Sequence, residues 1–351
     1  MTFPTISVVT CSYNSDLTML RRALASLKGQ RYPPEKLEHI VMDGGSTNGS
    51  LELFRQRGTH VEVRRDLLAK PQARMSLGIA RSRGELVLIL EPDNILPDSH
   101  WLRQMVKPFQ DHAGVVGAFS MYNSYDETMP LLTKYCALIG ANDPTIYYLN
   151  KSEKLPRFAR HYTKGEILLE AEDYCIVRFN HETLPTLGDN GHMVRRSLIQ
   201  KVNTNPETFI HVDAFAKLLA LGHGTYAAVK NSVVHYTGTN IFRFMQGRVT
   251  IKEKFYNRKK DKRSYFVFDP HSSRDRLNLL RFIVFSLTFI EPLLLSFRGF
   301  LAVREAAWFL HPVVCFVAVL SYTWSELVIR LNAMMVRLRR VPRDQRPYGI
   351  S

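Results

Sequence analysis

Leu86-Val87-Leu88-Ile89-Leu90-Glu91-Pro92-Asp93-Asn94 is the stretch whose reading decides the fold. Its first five residues carry no polar side chain. A strand with no polar face must be covered on both sides, as the central strand of a parallel sheet is. The apolar run then stops at a proline flanked by two carboxylates, so the acids fall just past the strand's C-terminal end. Working outward, short apolar runs at residues 6–10, 39–42 and 115–119 read as further strands. Residues 16–30, with Leu17, Leu20, Leu24 and Leu27 at helical spacing, and residues 71–83 read as the helices between them. The turn-rich segment 43–49 (DGGSTNG) can open another helix. Alternation of this kind predicts an α/β fold with a mostly parallel sheet, whose ligands sit beyond the strand C-termini.

Past residue 120 the pattern loosens, and only scattered helix is expected up to 180. It returns with helices over 193–202 and 213–221 and a strand over 232–236. The four cysteines, Cys11, Cys136, Cys175 and Cys315, show no paired spacing. That argues against a zinc site or a disulfide framework and fits a reducing compartment. Because strand-like sequence begins at Ile6, no secretory leader is expected ahead of the fold.

Charge separates the candidate partners. The net charge is +15, and residues 243–276 hold eleven Lys/Arg against four Asp/Glu while residues 330–351 hold six against one. These two blocks bracket the long apolar segments 277–297 and 306–329, each of a length that can cross a bilayer. Basic flanks on both sides of an apolar pair point to an anionic membrane before nucleic acid, although Arg258-Lys259-Lys260 between Tyr256 and Tyr265 could engage phosphates. A two-pass hairpin would leave both ends on the cytoplasmic side. Helices lying flat in the interface would suit the same charges.

Two carboxylates at i and i+2 beyond a buried strand can approach one hard cation and the phosphate oxygens it bridges. By itself an acidic turn is only a turn. The ordered set around it is more specific: Ser7-Val8-Val9-Thr10-Cys11-Ser12-Tyr13-Asn14, Gln30-Arg31-Tyr32-Pro33, Ile40-Val41-Met42-Asp43-Gly44-Gly45-Ser46-Thr47, Ala73-Arg74-Met75-Ser76-Leu77-Gly78 and Leu90-Glu91-Pro92-Asp93. This succession resembles the family 2 glycosyltransferases over about residues 5–250, and most strongly up to 100. The resemblance implies a GT-A nucleotide-sugar-binding fold over 1–250, with the donor half up to about 120 and the acceptor half after it. A basic linker (251–276), an apolar helical hairpin (277–330) and a basic tail (331–351) would follow.

The resemblance also assigns roles by position. Thr10, Ser12 and Tyr13 match the first-strand loop around the nucleoside, Asp43 an acid near base and ribose, and Arg74 the segment leading into the metal strand. Glu91 and Asp93 match the two acids of the DxD metal motif, for Mn²⁺ or Mg²⁺; the longer side chain at Glu91 makes Asp93 the better ligand. His235 aligns with a histidine near metal or diphosphate. Gln246 and Arg248 match a loop closing over the diphosphate, where bidentate arginine suits phosphate. Gly188-Asp189-Asn190-Gly191 resembles the loop under the acceptor. In His211-Val212-Asp213, Val212 stands where the family has the first acid of a Glu-Asp pair, which leaves Asp213 as general base or as a helix N-terminal residue favoured by the dipole. Gly44 stands where the family often has a second Asp.

The function implied is inverting, metal-dependent transfer from a nucleotide-sugar donor to a glycan or lipid-linked acceptor at the cytoplasmic face of the cell membrane. A polyprenyl phosphate acceptor, which needs no base, and a non-catalytic nucleotide-sugar-binding scaffold are the alternatives. A dinucleotide-dependent oxidoreductase is disfavoured, because the first strand leads to Cys-Ser-Tyr-Asn and not to GxGxxG.

Overall fold

The computed structural model describes residues 3–56, 59–253 and 263–340. The basic stretch Arg258-Lys259-Lys260 and the tail from residue 341 lie outside them. Ten strands form one sheet: β1 (Ile6–Ser12), β2 (Leu37–Asp43), β3 (His60–Val63), β4 (Leu86–Ile89), β5 (Asn94–Ile95), β6 (Gly117–Ser124), β7 (Glu166–Glu170), β8 (Tyr174–Arg178), β9 (His192–Arg195) and β10 (Thr225–His235). Their order is β3-β2-β1-β4-β9-β6-β10-β8-β7, with β5 paired to β10. Seven strands (β1, β2, β3, β4, β6, β7 and β10) run the same way, and β9 lies antiparallel between β4 and β6. The expected α/β class with a mostly parallel core is borne out.

β4 shows why the opening stretch decides the fold. Val87 and Ile89 enter the core on one face, while Leu86, Leu88 and the following Leu90 enter the core on the other. The first core is roofed by α3 (Pro71–Arg81), α7 (Arg196–Val202) and α8 (His211–Ala220) through Met75, Ile79, Ile199 and Phe215. Helix α3 lies close on the sheet because Gly78 has no side chain: a Cβ there would sit 2.5 Å from Val9 Cγ1. The second core is covered by α4 (Trp101–Asp111), whose Trp101, Leu102, Met105, Val106 and Phe109 all face inward. Near the N-terminus α1 (Leu17–Lys28), capped by Asp16 accepting from Met19 N, buries Leu20 and Leu24 against Val41 and against Phe54 of α2 (Ser50–Gln56).

Two expectations change. The helix expected over 193–202 begins as strand β9, because Met193 and Val194 fill sheet positions opposite Leu88 and Val87. Helix α7 starts only at Arg196. The apolar tail, expected as a helical hairpin, is built from three helices. It forms α10 (Ser273–Thr288), α11 (Ile290–Ala302) and α12 (His311–Arg340), and α10 and α11 meet at 86° around Phe289, whose φ is 62°. Nor do these helices stand apart. They share a core with α5 (Leu131–Ile139), α6 (Pro144–Tyr148) and α9 (Ile241–Ile251), in which Leu132, Tyr135, Phe244, Phe282, Trp308 and Cys315 meet. The segment 120–180, poorly legible in sequence, thus carries both β7–β8 and the helices that dock the C-terminal unit.

Candidate active site

The order β2-β1-β4 reverses direction at β1, so the C-terminal ends of β1 and β4 form the crevice where open α/β sheets bind ligands. A cavity of about 550 Å³ opens there. From the donor side Cys11, Tyr13, Arg74, Glu91 and Asp93 line it; from the other side His235, Arg248, Asp189 and His211 do.

The acidic turn after β4 is held from beneath. Buried Asn94 accepts from Glu91 N through Oδ1 at 3.0 Å, and its amide donates to Asn190 Oδ1 at 3.1 Å and to Asp93 Oδ1 at 3.3 Å. β5 then pairs with β10 in the register His235 opposite Asn94. That pairing sets His235 Nε2 3.6 Å from Asp93 Oδ2, while His235 Nδ1 lies 3.2 Å from Asn142 Oδ1. Burial, with Asp93 and Asp189 close by, pushes the Glu91 carboxyl up to about 8. Burial also raises Asp93, against the pull of His235. A carboxyl pair driven up in this way marks negative charge that a cation would relieve. Among the described residues no group of three or more His, Cys, Asp or Glu converges. Asp93 and His235, with Glu91 lining the same cavity, are the groups here that could hold a metal ion.

Other expected residues fall elsewhere. Thr10 is buried, donates to Leu90 O at 2.8 Å and meets His39 Nε2 at 2.9 Å, so it ties β1 to β4 and β2. Ser12 is buried against Ser15 Oγ at 3.0 Å. Asp43 is fully buried, and its oxygens accept from Gly45 N, Ser46 N and Ser46 Oγ, each at 2.7 Å. These three shape the loop and do not line the cavity; nor does Gln246, although Arg248 two residues along the same helix does. Arg74 reaches the cavity wall with its Nη1 donating to Leu67 O and Leu68 O at 2.7 and 2.8 Å. It explains the glycine at 44: a Cβ there would sit 2.9 Å from Arg74 Nη1, in space an aspartate would contest.

Asp213, expected as the general base, faces away from the cavity. It stands in the first turn of α8, but its carboxylate turns inward, Oδ2 accepting from Arg263 Nε at 2.7 Å and Oδ1 from Tyr265 N at 2.9 Å. Both side chains of that ion pair are at most 5% exposed. Asp213 is absent from the cavity lining, and a carboxylate with both oxygens so engaged is not placed to take a proton from an acceptor there. The polar side chain that this helix gives the cavity is His211, two residues earlier. Sequence reasoning passed over it, though the missing acid at Val212 was the signal that this motif had been rebuilt.

Residues 7–180 match the model of glycosyl transferase family 2. On that match, with β1–β4 and the acidic turn in the order the motif requires, this part of the chain belongs to the family 2 glycosyl transferases and has their GT-A fold. A curated relative, the glycosyltransferase AglE of Haloferax volcanii, is 31% identical over 109 residues, which cover 30% of this chain. The chain spans only about a third (35%) of that relative's length. Among solved structures, the mannosyltransferase PcManGT from Pyrobaculum calidifontis, in complex with GDP-Man and Mn²⁺, superposes with a TM-score of 0.45 at 15% identity, covering 95% of this chain and 86% of its own. TarS 1–349 from S. aureus, in complex with UDP, gives 0.47 at 14% identity over 93% and 92%. Those ligands are those proteins' own.

Proposed function

We propose that this chain is a glycosyltransferase that moves a sugar, with inversion, from a nucleotide-sugar to a hydroxyl of a glycan or lipid-linked acceptor at a membrane surface. The observation that carries the reading is the Asn94-braced turn that sets Asp93 beside His235 in the crevice at the end of β4. Asp93 and His235 would hold Mn²⁺ or Mg²⁺, which when bound neutralises the charge growing on the leaving diphosphate. Arg248, whose guanidinium packs 5.3 Å from the Phe244 ring and lines the cavity, would supply a second positive group for the diphosphate. Tyr13, nearly half exposed at the cavity mouth, offers a ring for a nucleobase to lie against. Preorganised charge at the leaving group is the largest catalytic contribution in such a site.

The membrane side rests on α10–α12. Leu280, Leu287, Ile290, Leu294, Phe297 and Trp324 are each more than half exposed on these helices. Exposed apolar side chains in this number, flanked by basic sequence, mark an interaction surface. The helix Ala306–Asn332 is long and apolar enough to cross a bilayer, whereas α10 and α11 meet that test only as a bent pair. An 86° bend suits two helices lying along the cytoplasmic interface beside the basic segments better than a straight crossing.

The test is calorimetric titration of UDP-, GDP- and dTDP-sugars with and without Mn²⁺, on the full chain and on Asp93→Ala. Mn²⁺-dependent binding of one donor, weakened at least tenfold in the variant, is expected. If no donor binds, or if Asp93→Ala binds as wild type does with metal, the reading fails.

A further inference from the structure

With Asp213 locked away, the proton of the acceptor hydroxyl needs another destination. At the start of α8 the backbone N–H of His211 donates to Gln72 Oε1 at 2.9 Å, and the His211 ring presents Nδ1 to the same oxygen at 3.0 Å. An amide oxygen that already takes a backbone N–H is an acceptor, so the proton on the neutral ring sits on Nδ1. The free lone pair is then on Nε2. That nitrogen lies 3.9 Å from Asp189 Oδ2, and His211, Gln72 and Asp189 all line the cavity that contains Asp93. The loop carrying Asp189 comes this close because Gly188 has φ +109° and no side chain: a Cβ there would sit 2.4 Å from Phe215 Cε2 and 3.2 Å from His211 Cβ. An orienting amide, an imidazole on the cavity wall and a carboxylate near its basic nitrogen are the parts of a general base with its supports.

We propose that His211 is the base of this site, oriented by Gln72 and assisted by Asp189. The proposal rests on the glycosyltransferase reading above. In the step, the acceptor hydroxyl oxygen forms a bond to the anomeric carbon as that carbon's bond to the diphosphate oxygen breaks. The bonding pair leaves with the diphosphate, and the hydroxyl proton passes to His211 Nε2, giving an imidazolium that Asp189 stabilises. Burial lowers the histidine below its ordinary 6.5, opposed by Asp189, Asp213 and Glu153 and reinforced by Arg263. The ring is therefore neutral, and able to accept, at physiological pH.

The experiment uses the full chain and the nucleotide-sugar that binds in the titration above, with water as acceptor and release of nucleoside diphosphate as readout. His211→Gln should keep donor affinity within about twofold and lose about 10²- to 10⁴-fold in release. The wild-type rate should fall on the acid side below pH 6.5, and His211→Glu should restore part of the rate with that limb moved to lower pH. Asp189→Asn should lower release with donor affinity unchanged. If a donor binds and His211→Gln releases diphosphate within threefold of wild type, the His211 assignment is overturned while the donor site stands. If Asp189→Asn abolishes release and His211→Gln does not, the carboxylate is the base and the assignment is again overturned. Failure of every donor to bind wild type removes both readings.

Discussion

Asp213→Asn separates a structural acid from a catalytic one. The substitution keeps the shape and leaves an oxygen to accept from Tyr265 N, but removes the charge opposite Arg263. Because the paired side chains are at most 5% exposed, water cannot take over from the lost carboxylate. Breaking one partner of a buried pair costs about 3–5 kcal/mol. At about 2.1 cal/mol/K per residue the unfolding entropy of a chain this long is about 0.7 kcal/mol/K, so Tm should drop by about 4–7 °C. Differential scanning calorimetry reads this directly. A cycle with Arg263→Met should show the two single losses failing to add, with a coupling of about 1 kcal/mol or more. A Tm within about 1 °C of wild type, together with lost release of nucleoside diphosphate, would refute the reasoning and return Asp213 to the chemistry.

Asn94→Ala removes the brace under the acidic turn and should cost about 1–3 kcal/mol, as well as weakening Mn²⁺-dependent donor binding, both measurable on one preparation. His192 is buried among Phe119, Phe215 and Tyr226, and burial holds it down to about 3. Its unfolded form takes up a proton near 6.5, so stability complete above that pH should be lost as pH falls from 6.5 toward 3, at no more than about 1.4 kcal/mol per unit. Denaturant titrations at pH 7, 6 and 5 should show that slope, and His192→Leu should flatten it. Leu294→Glu with Phe297→Glu puts charge on the exposed face of α11 and should cut flotation with anionic phosphatidylglycerol vesicles at least tenfold, with donor affinity unchanged.

The central strand was readable because burial on both faces leaves no room for a polar residue, and the acidic turn because a strand C-terminus at a sheet reversal is where ligands go. His235 was found through resemblance, but its partner Asp93 follows only from the two-residue pairing of β5 with β10, too short to leave a pattern. The direction of a side chain off a helix N-terminus is not encoded locally either. Asp213 points inward because Arg263, fifty residues later, supplies its countercharge, and no periodicity in 211–220 announces that. The chemistry of residues 120–180 was hidden for a like reason. Leu132, Tyr135 and Leu138 are apolar for the sake of Trp308 and Cys315, not for neighbours in their own segment.

That last arrangement sets a schedule for the nascent chain. Tyr135 donates to or accepts from His311 Nδ1 at 2.9 Å across 176 residues of sequence. At about 5–20 residues per second, roughly 10–35 s pass between synthesis of the one and of the other. Through that interval the sheet's first strands can close, but the face of α5 that meets Trp308 and Cys315 stays uncovered. The late-made helices are thus the lid that ends a period of exposure, and shortening the chain from its C-terminus would make that exposure permanent.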